Sequence, residues 1–542
     1  MESYNNAVVP KLIDYIKQLL VRVESSSDDG AKIELTRYQS VDSNNLDINY
    51  LTTHGMTGTF TLKIYFKVTN QDVVDEFNED LEIPKQIHNV FVIDGSLRIP
   101  TNTLDNDDAV TVYDSNIRIN ELLNITFEED PTRPDGYKLT IYYYEDEEPT
   151  IIDGTPENIE SNKEILKLEQ FEIDKIKVKL DTDEVGSYLD YDTIIKLINL
   201  GSDKKHDNMI DKKIYSSETN FMKYMWSRDV RKRILTNMKS KFYQYNRIYL
   251  KDIQNAIDRY FRIASEKNID IPTTVNPLVF DAMKFKVVIP KNVTFNRTMT
   301  DIIDVANTPI NGNVNRINEL NVCTVIKDDV IHIRCYTYPD QTPVEIPYTS
   351  YCTKRVLINQ YWDYDKKSFI NPSNPVKYKL RLKVHEGTST DNFDLIEPMP
   401  DDKLSITTRR IPFGDRSDSV RVSMATSMEK QALELNSSEP PLVTSGHDDE
   451  DFLLSTLVTR FKGDRSIVDK INDNKIFIQD METGSVQFYE IPAPSPGAND
   501  SIISFDAAVK KGQIVNDGDL LVVPHILRRK SFELGVNSNA IY

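Results

Sequence analysis

The feature that most constrains this chain's fold is a change of hydrophobic period early in the sequence. Behind Pro10, apolar residues recur at three- and four-residue steps, which predicts an amphipathic helix: Val9, Leu12, Ile13, Ile16, Leu19, Leu20 and Val23. From Phe60 to Val68 apolar and polar residues alternate instead, as in a strand buried on one face. Similar alternation predicts strands from Tyr137 to Tyr144 and over Ile176, Val178 and Leu180.

The period changes again later in the chain. Residues 219 to 265 predict helix, and short strands are expected from about residue 280 onward. The acidic stretch 145 to 160 predicts a surface loop between strands. A single hydrophobic core stops growing well below 542 residues, so the pattern predicts a multidomain α+β protein. Turns are expected at three dipeptides, Asn311-Gly312, Asn371-Pro372 and Asn374-Pro375.

The charge distribution limits where nucleic acid could bind. The formal charge of −20 argues against nonspecific binding by the chain as a whole, because phosphate contacts need clustered Lys and Arg. One stretch, residues 221 to 263, carries eleven Lys or Arg against three Asp. We therefore predict a local basic patch, whose central residues are Arg228, Arg231, Lys232, Arg233, Lys239 and Lys241.

The cysteines and histidines predict no metal site of protein origin. Cys323, Cys335 and Cys352 have no CxxC spacing, so neither a disulfide framework nor a zinc ribbon is indicated, and a reducing cytoplasm fits best. The seven His form no HxxxH or HExxH motif. The opening residues lack the pattern of a signal peptide, and no apolar run approaches ~20 residues, so we expect neither export nor membrane insertion.

The most specific segment is IPFGDRSDSVRVSMATSMEKQALEL, residues 411 to 435. It resembles, without a gap, the form IPFxEHDDxNRxLMGxNMxRQAVPL in the β subunit of multisubunit DNA-directed RNA polymerases. The resemblance implies that Arg421 reaches the triphosphate of the incoming nucleotide, and that Met424, Ser427, Lys430 and Gln431 lie near the RNA and its hybrid with DNA. Read alone, the segment is an amphipathic helix with a solvated arginine.

Two further segments resemble regions of that subunit which lie beside the hybrid and the rifampicin site. TPINGNVNRINELNV, residues 308 to 322, is similar to TPEGPNIGLINSLSV, which implies that Asn313 and Ile317 are close to the hybrid. Read alone, Asn-Gly is simply a good turn. TTVNPLVFDAMKFKVV, residues 273 to 288, is similar to DQNNPLSEITHKRRIS, with Asn276, Pro277, Lys284 and Lys286 in register.

Two departures within that last segment bear on drug binding. Met283 stands where the family has His, and Val288 where it has Ser. Both changes remove polar partners from the drug pocket, so we expect the assembled enzyme to resist rifampicin. Inhibition at micromolar drug would refute this expectation.

Weaker resemblances extend towards both ends of the chain. FVIDGSLRIPTNTL (91 to 104) is similar to FVINGTERVIVSQL, and a hairpin with an exposed Arg98 or a role near template DNA are both open. EPPLVTSG (439 to 446) is similar to EAPLVGTG, KKGQIVNDGDLL (510 to 521) to ERGDVLADGPST, and LGVN (534 to 537) to LGQN. The sequence stops before a PWNGYNFEDS-like segment and lacks NADFDGD, so we expect Mg²⁺ to be held mainly by other subunits and the chain to be inactive alone.

Taken together, the resemblances imply that the chain is the N-terminal half of a split β subunit of large-phage type. It would position the RNA–DNA hybrid and the incoming NTP as a nucleotidyltransferase subunit, in the cytoplasm of an infected bacterium or also packaged in the virion. The expected divisions are a lobe and protrusion region (1 to 215), a basic helical and rifampicin-like region (216 to 400), and part of a hybrid-binding double-psi-barrel region (401 to 542). Implied partners are a C-terminal β-half polypeptide, β′-type polypeptides, a promoter-specificity factor, template DNA and the RNA transcript.

Two other classes of function stay open at this point. The acidic balance would suit a phage structural or assembly protein without a catalytic role. The basic stretch would also suit a stand-alone binder of single-stranded nucleic acid. The ungapped 411 to 435 segment favours the polymerase subunit over both.

Overall fold

The structure is a computed structural model of the full chain. It describes residues 3–25, 31–41, 51, 55–70, 73–87, 90–106, 110–113, 115–120, 122–133, 136–144, 149–200, 209–263, 269–270, 276–289, 297–307, 316–433, 435, 439–448, 458–461, 463–472, 474–491, 495–496, 502–525 and 535–537.

The described helices, in chain order, are α1 (Ser3–Glu24), α2 (Pro156–Ser161), α3 (Gln170–Leu180), α4 (Tyr191–Leu200), α5 (Ser217–Trp226), α6 (Arg228–Tyr245), α7 (Lys251–Ile263), α8 (Pro277–Lys284), α9 (Tyr348–Thr353) and α10 (Ser419–Lys430). The described strands are β1 (Lys32–Val41), β2 (Thr59–Asn70), β3 (Val73–Pro84), β4 (Gln86–Ile87), β5 (Val90–Ile93), β6 (Ser96–Pro100), β7 (Asn102–Asn106), β8 (Thr111–Tyr113), β9 (Asn116–Arg118), β10 (Leu123–Glu129), β11 (Tyr137–Tyr143), β12 (Thr150–Asp153), β13 (Lys212–Tyr215), β14 (Ile269–Asp270), β15 (Lys286–Val288), β16 (Ile317–Glu319) and β17 (Thr324–Lys327). They continue as β18 (Val330–Thr337), β19 (Pro343–Pro347), β20 (Val356–Leu357), β21 (Trp362–Asp363), β22 (Ser368–Phe369), β23 (Val376–Leu380), β24 (Lys383–Gly387), β25 (Leu395–Ile396), β26 (Thr459–Arg460), β27 (Ser466–Asn472), β28 (Lys475–Asp480), β29 (Val486–Glu490), β30 (Ser495–Pro496), β31 (Ile502–Ile503), β32 (Phe505–Ala507), β33 (Ile514–Val515) and β34 (Leu520–Pro524). Helices and mostly antiparallel sheets occur in separate stretches, so the chain is α+β.

The chain divides into two compact units, each built from separate stretches of sequence. Unit 1 comprises Met1–Thr103, Tyr215–Val288 and Ile406–Tyr542, and unit 2 comprises Leu104–Ile214 and Ile289–Ser405. The expected three-region division at residues 215 and 400 stays a prediction.

The main core of unit 1 lies between α1, the β1-β2-β3 sheet and helices α5 to α7. The alternating residues of β2 point inward, and Leu62 and Ile64 are fully buried, which confirms the predicted strand. Helix α1 confirms the predicted amphipathic helix, and its Tyr15 hydroxyl donates to the Met225 carbonyl at 3.0 Å, tying α1 to α5. A second, smaller core of unit 1 lies within β26 to β34 and includes Phe461, Ile476, Val515 and Leu521.

Two sheets of five or more strands lie in the described part of unit 2. The first is the antiparallel sheet β12-β11-β10-β9-β8, whose core includes residues of α3 and α4. The second has the order β17-β18-β25-β20-β23-β24, with β19 also paired to β18. Cys323, Cys335 and Cys352 are buried free thiols in this unit, and burial raises the pKa of Cys323 to about 12.

Two predicted elements are wrong. Ile176, Val178 and Leu180 lie in helix α3 and not in a strand. Helix α3 begins with a capping box between Glu169 and Glu172 and ends at Asp181 in the left-handed conformation, and these local signals outweigh a three-residue alternation. The acidic stretch 145 to 160 is not one loop, because residues 150 to 153 form β12 and α2 begins at Pro156.

Most of the other local predictions are confirmed, and one falls on residues outside the described ranges. The helical stretch 219 to 265 is confirmed as α5, α6 and α7, and Asn374 N–H donates to the Asn371 carbonyl at 3.2 Å in the predicted turn. The Asp94-Gly95 turn of the β5–β6 hairpin has positive φ at both residues, as a tight hairpin requires. Asn311-Gly312 lies outside the described residues. No helix in the described ranges is both long and apolar enough to cross a membrane.

Candidate nucleotide and nucleic-acid interface

The segment that carries Arg421 folds as predicted, through a turn and then a helix. Phe413 adopts the left-handed conformation at φ 57°, and a 3₁₀ turn follows at Gly414–Arg416. Asp418 then caps α10, because its carboxylate accepts a hydrogen bond from the Arg421 backbone N–H at 2.8 Å. The cap fixes where the helix begins, and therefore which turn carries Arg421.

Helix α10 has one buried face and one exposed face. Val422, Ser423 and Thr426 are buried in unit 1. The opposite face is exposed in this chain and carries Arg421, Met424, Ser427, Met428 and Gln431. The predicted helical face is therefore present, but the described residues do not enclose it.

The exposed face combines a cation with apolar side chains. Met424 is 39% and Met428 69% exposed, so two flexible apolar side chains lie on the same face as the guanidinium. The Arg421 guanidinium forms no hydrogen bond or ion pair with any residue that the structure describes, whereas its backbone N–H is held by Asp418. The side chain can therefore make a bidentate contact with a phosphate without breaking an internal ion pair.

The other end of α10 is held by an asparagine from the rifampicin-like segment. Asn276 is fully buried, and its side-chain amide nitrogen donates to the carbonyls of Glu429 at 2.8 Å, Lys430 at 3.3 Å and Ala432 at 2.7 Å. Asn276 also precedes α8, whose first residue is Pro277. Residues 276 to 284 and the 411 to 435 segment, which are distant in sequence, are thus in direct contact.

A second long-range contact joins the 439 to 446 segment to the 534 to 537 segment. Asn537 donates from its backbone N–H to the Glu439 carboxylate at 3.1 Å, and its side chain donates to the Pro440 carbonyl at 3.0 Å. The Glu439 N–H donates in turn to the Gly535 carbonyl at 2.8 Å. These contacts leave Leu442 84% and Val536 58% exposed.

The other candidate site residues of the 273 to 288 and 308 to 322 segments are half-buried or lie outside the described residues. Met283 and Lys286 are half-buried on α8 and β15 of unit 1, and Ile317 is half-buried on β16 of unit 2. Asn313 lies outside the described residues. The expected rifampicin resistance and the hybrid-proximal roles stay predictions.

The predicted basic patch presents fewer exposed cations than its six residues suggest. All six residues lie on α6, and Arg228, Lys232 and Arg233 are exposed. Lys239 is half-buried, and the Arg231 guanidinium lies 5.9 Å from the centre of the Trp226 ring. A remaining member of the patch, Lys241, is neutralised by Asp252, whose carboxylate lies 2.6 Å from its ammonium nitrogen.

The described residues do not fit a magnesium site. No group of three or more Asp, Glu, His or Cys side chains in the described ranges is placed to hold a metal ion.

The chain was compared with known protein families and with individual proteins. No protein-family model matches the chain. It is 24% identical over 373 residues to the DNA-directed RNA polymerase subunit β of Mycoplasmopsis pulmonis, which is 62% of this chain and 30% of that protein. It is 31% identical over 137 residues to the corresponding subunit of Theileria parva, covering 25% of this chain and 13% of that one.

A third relative is of the same kind. The chain is 26% identical over 153 residues to the DNA-directed RNA polymerase subunit β of Borreliella afzelii, 28% of this chain and 13% of that protein. The chain thus spans less than a third of the length of these curated relatives. Over part of its length it is similar to β subunits of DNA-directed RNA polymerases.

Proposed function

We propose that the chain is a subunit of a multisubunit DNA-dependent RNA polymerase that acts as a nucleotidyltransferase only in complex with other polypeptides. The observation that carries the proposal is the exposed face of α10, where a guanidinium without a partner among the described residues stands beside Met424 and Met428. A phosphate beside stacked bases matches that surface in charge and polarity. The partial similarity to polymerase β subunits supports the same reading.

In this proposal α10 binds and orients, and other chains supply the metal chemistry. Arg421 holds the triphosphate of the incoming NTP, while Met424, Ser427, Lys430 and Gln431 face the RNA 3′ end. Asn313 and Ile317 lie beside the hybrid, in the rifampicin-like region from 216 to 400. That region stands between a lobe-like region and part of a double-psi-barrel region along the chain. Two Mg²⁺ ions, held mainly by other subunits, supply the activation of the 3′ hydroxyl and of the leaving group. Fixing the phosphates and the RNA end relative to each other contributes to rate through orientation.

The proposed partners cover surfaces that this chain leaves open. The exposed Met428, Leu433, Leu442, Val443 and Val536 are candidates for contact with a C-terminal β-half polypeptide and β′-type polypeptides. Template DNA, the RNA transcript and a promoter-specificity factor complete the assembly. We also propose a large-phage source, and with it the cytoplasm of an infected bacterium, alone or together with the virion, as the location of the chain.

The test of the proposal is co-purification followed by an activity assay. The tagged full-length chain, purified from cells that produce it, is expected to carry polypeptides with NADFDGD-like and PWNGYNFEDS-like segments. The complex should synthesise RNA from NTPs only when a DNA template is added, and the chain alone should not. Recovery of the chain in ordered shells without RNA synthesis would instead support a structural protein, and tight binding of single strands by the isolated chain would support a stand-alone binder.

The exposed cations of α6 should supply salt-dependent affinity for nucleic acid. We expect the triple substitution Arg228→Glu, Lys232→Glu and Arg233→Glu to weaken DNA binding by the complex. The slope of log K against log salt should also become shallower by about 0.9 for each phosphate that the variant no longer neutralises. Fluorescence anisotropy with a labelled duplex over a range of salt concentrations measures both quantities.

A matched control carries the same charge change at exposed lysines elsewhere, namely Lys17→Glu, Lys377→Glu and Lys511→Glu. A general effect of net charge would shift both triple variants equally. An unchanged slope in the α6 variant would remove this helix from the nucleic-acid surface.

A further inference from the structure

The C-terminal end of α10 lacks the usual cap. The last four carbonyls of a helix have no partner within the helix, and a glycine in the left-handed conformation commonly satisfies them. Here the residue after the helix is Gln431, at φ −98° and ψ 0°, and no glycine follows in the described residues up to Leu433. The Gln431 N–H donates to the Ser427 and Met428 carbonyls, and the Ala432 N–H donates to the Glu429 carbonyl. This end is therefore satisfied partly by its own neighbours and partly by a partner from elsewhere in unit 1.

Asn276 supplies that partner from 153 residues earlier in sequence. One side-chain nitrogen serves the carbonyls of Glu429, Lys430 and Ala432, which lie in the last turn and just beyond it. The side-chain oxygen of Asn276 is buried and accepts no hydrogen bond from the described residues. An unpaired buried acceptor is unfavourable, so the oxygen does not help to hold the amide in place. Among the described residues, the three carbonyls alone orientate the Asn276 side chain.

We propose that Asn276 is a positioning residue that fixes the direction of α10 and thereby the place of the Arg421 guanidinium. The inference rests on the proposed function, because it assigns Asn276 a role in nucleotide binding through Arg421. The helix is held at its first turn by Asp418 and at its last turn by Asn276. The ten helical steps from Arg421 to Gln431 span about 15 Å, so a tilt of about 5° displaces one end by about 1 Å relative to the other.

The experiment compares Asn276→Ala with Asn220→Ala in the full chain and in the assembled complex. Asn220 is a matched control, because it is a buried asparagine of the same unit whose side chain donates to the Tyr215 carbonyl. Asn276→Asp is a second variant of nearly the same shape, in which a carboxylate oxygen would face the three carbonyls. Hydrogen exchange of the α10 amides and steady-state kinetics of nucleotide addition are measured for each variant.

In Asn276→Ala we expect the last turn of α10 to exchange about tenfold faster, because the helix end loses its hydrogen bonds to the Asn276 side chain. Asn220→Ala should leave α10 exchange unchanged. In the complex, the KM for NTP should rise about tenfold while kcat changes by less than about twofold, because an interaction made equally in the ground and transition states is weakened. In the double variant with Arg421→Ala, KM should be no higher than in Arg421→Ala alone.

Each outcome decides one part of the inference. Unchanged exchange in both Asn276 variants overturns the claim that Asn276 holds the C-terminal end of α10. Faster exchange with an unchanged KM, or effects of Asn276→Ala and Arg421→Ala that multiply, overturns the positioning role. A complex that makes no template-directed RNA overturns the proposed function, and the positioning role with it. The exchange result still decides whether Asn276 holds the end of α10.

Discussion

Replacing Arg421 with alanine is expected to lower the efficiency of nucleotide addition by the assembled complex roughly 10- to 1000-fold, which corresponds to removing one charged interaction of ~1.5 to 4 kcal/mol. The side chain is exposed on α10 and has no hydrogen-bond or ion-pair partner among the described residues. Its removal therefore leaves no buried group unsatisfied. We expect the chain to fold and assemble normally, with the whole loss in kcat/KM for NTP.

The control for Arg421→Ala is Arg416→Ala in the same segment. Arg416 is 82% exposed and lies in the 3₁₀ turn before α10, so it tests whether any cation of the segment would serve. Arg421→Lys should recover part of the efficiency, because it keeps the charge but not the bidentate geometry. Elongation kinetics over a range of NTP concentrations give the comparison, and an unchanged kcat/KM in Arg421→Ala would remove the residue from the substrate site.

Local periodicity predicts elements well where it runs over several turns or strand residues. Helix α1 and strand β2 each have long amphipathic patterns, and both are present. The alternation at Ile176, Val178 and Leu180 is too short to separate a strand from a helix, because residues at steps of four also share a helical face. The start of α2 carries a local signal that the acidic composition masks, since Thr155 caps the helix and Pro156 occupies its first position.

Long-range contacts are beyond reach of the sequence. Arg421, its helix and its Asp418 cap follow from residues that are neighbours in sequence. The hydrogen bonds of Asn276 to α10 and of Asn537 to the 439–440 segment join residues about a hundred or more positions apart. Nothing in local spacing distinguishes an asparagine whose side chain caps its own helix from one, such as Asn276, whose side chain donates to another helix. The burial of Arg409 and Arg410, at 3% and 8% exposure, is likewise not signalled by two consecutive arginines.

Unit 2 contains a largely buried ion network around Glu397. The Lys379 ammonium lies 2.8 Å from the Asp301 carboxylate and 2.7 Å from that of Glu397, which is 3% exposed. Lys403 also pairs with Glu397, and it lies 3.6 Å from Asp301. Burial alone would lower the pKa of Lys379, but the two carboxylates outweigh it and raise that pKa above its ordinary value. The ammonium is therefore charged at neutral pH and holds two carboxylates together.

Replacing Lys379 with methionine should destabilise unit 2 by about 2 to 4 kcal/mol, because it leaves buried carboxylates without their main partner. Lys377→Met is the matched control, since Lys377 lies on the same strand, β23, with its side chain exposed. The chain has two tryptophans, so a Trp226→Phe background leaves Trp362, which is buried in unit 2, as the reporter of urea unfolding.

The difference between Lys379→Met and its parent has a defined pH dependence. A raised folded pKa means that the contribution of Lys379 is fully present below the pKa of an unfolded lysine, about 10.4, and is lost as pH rises through the folded pKa. The destabilisation should therefore be constant between about pH 7 and pH 9 and shrink only at higher pH. Equal unfolding midpoints for Lys379→Met and Lys377→Met near neutral pH would show that the network contributes no more than an exposed lysine, and that Lys403 alone suffices to hold Glu397.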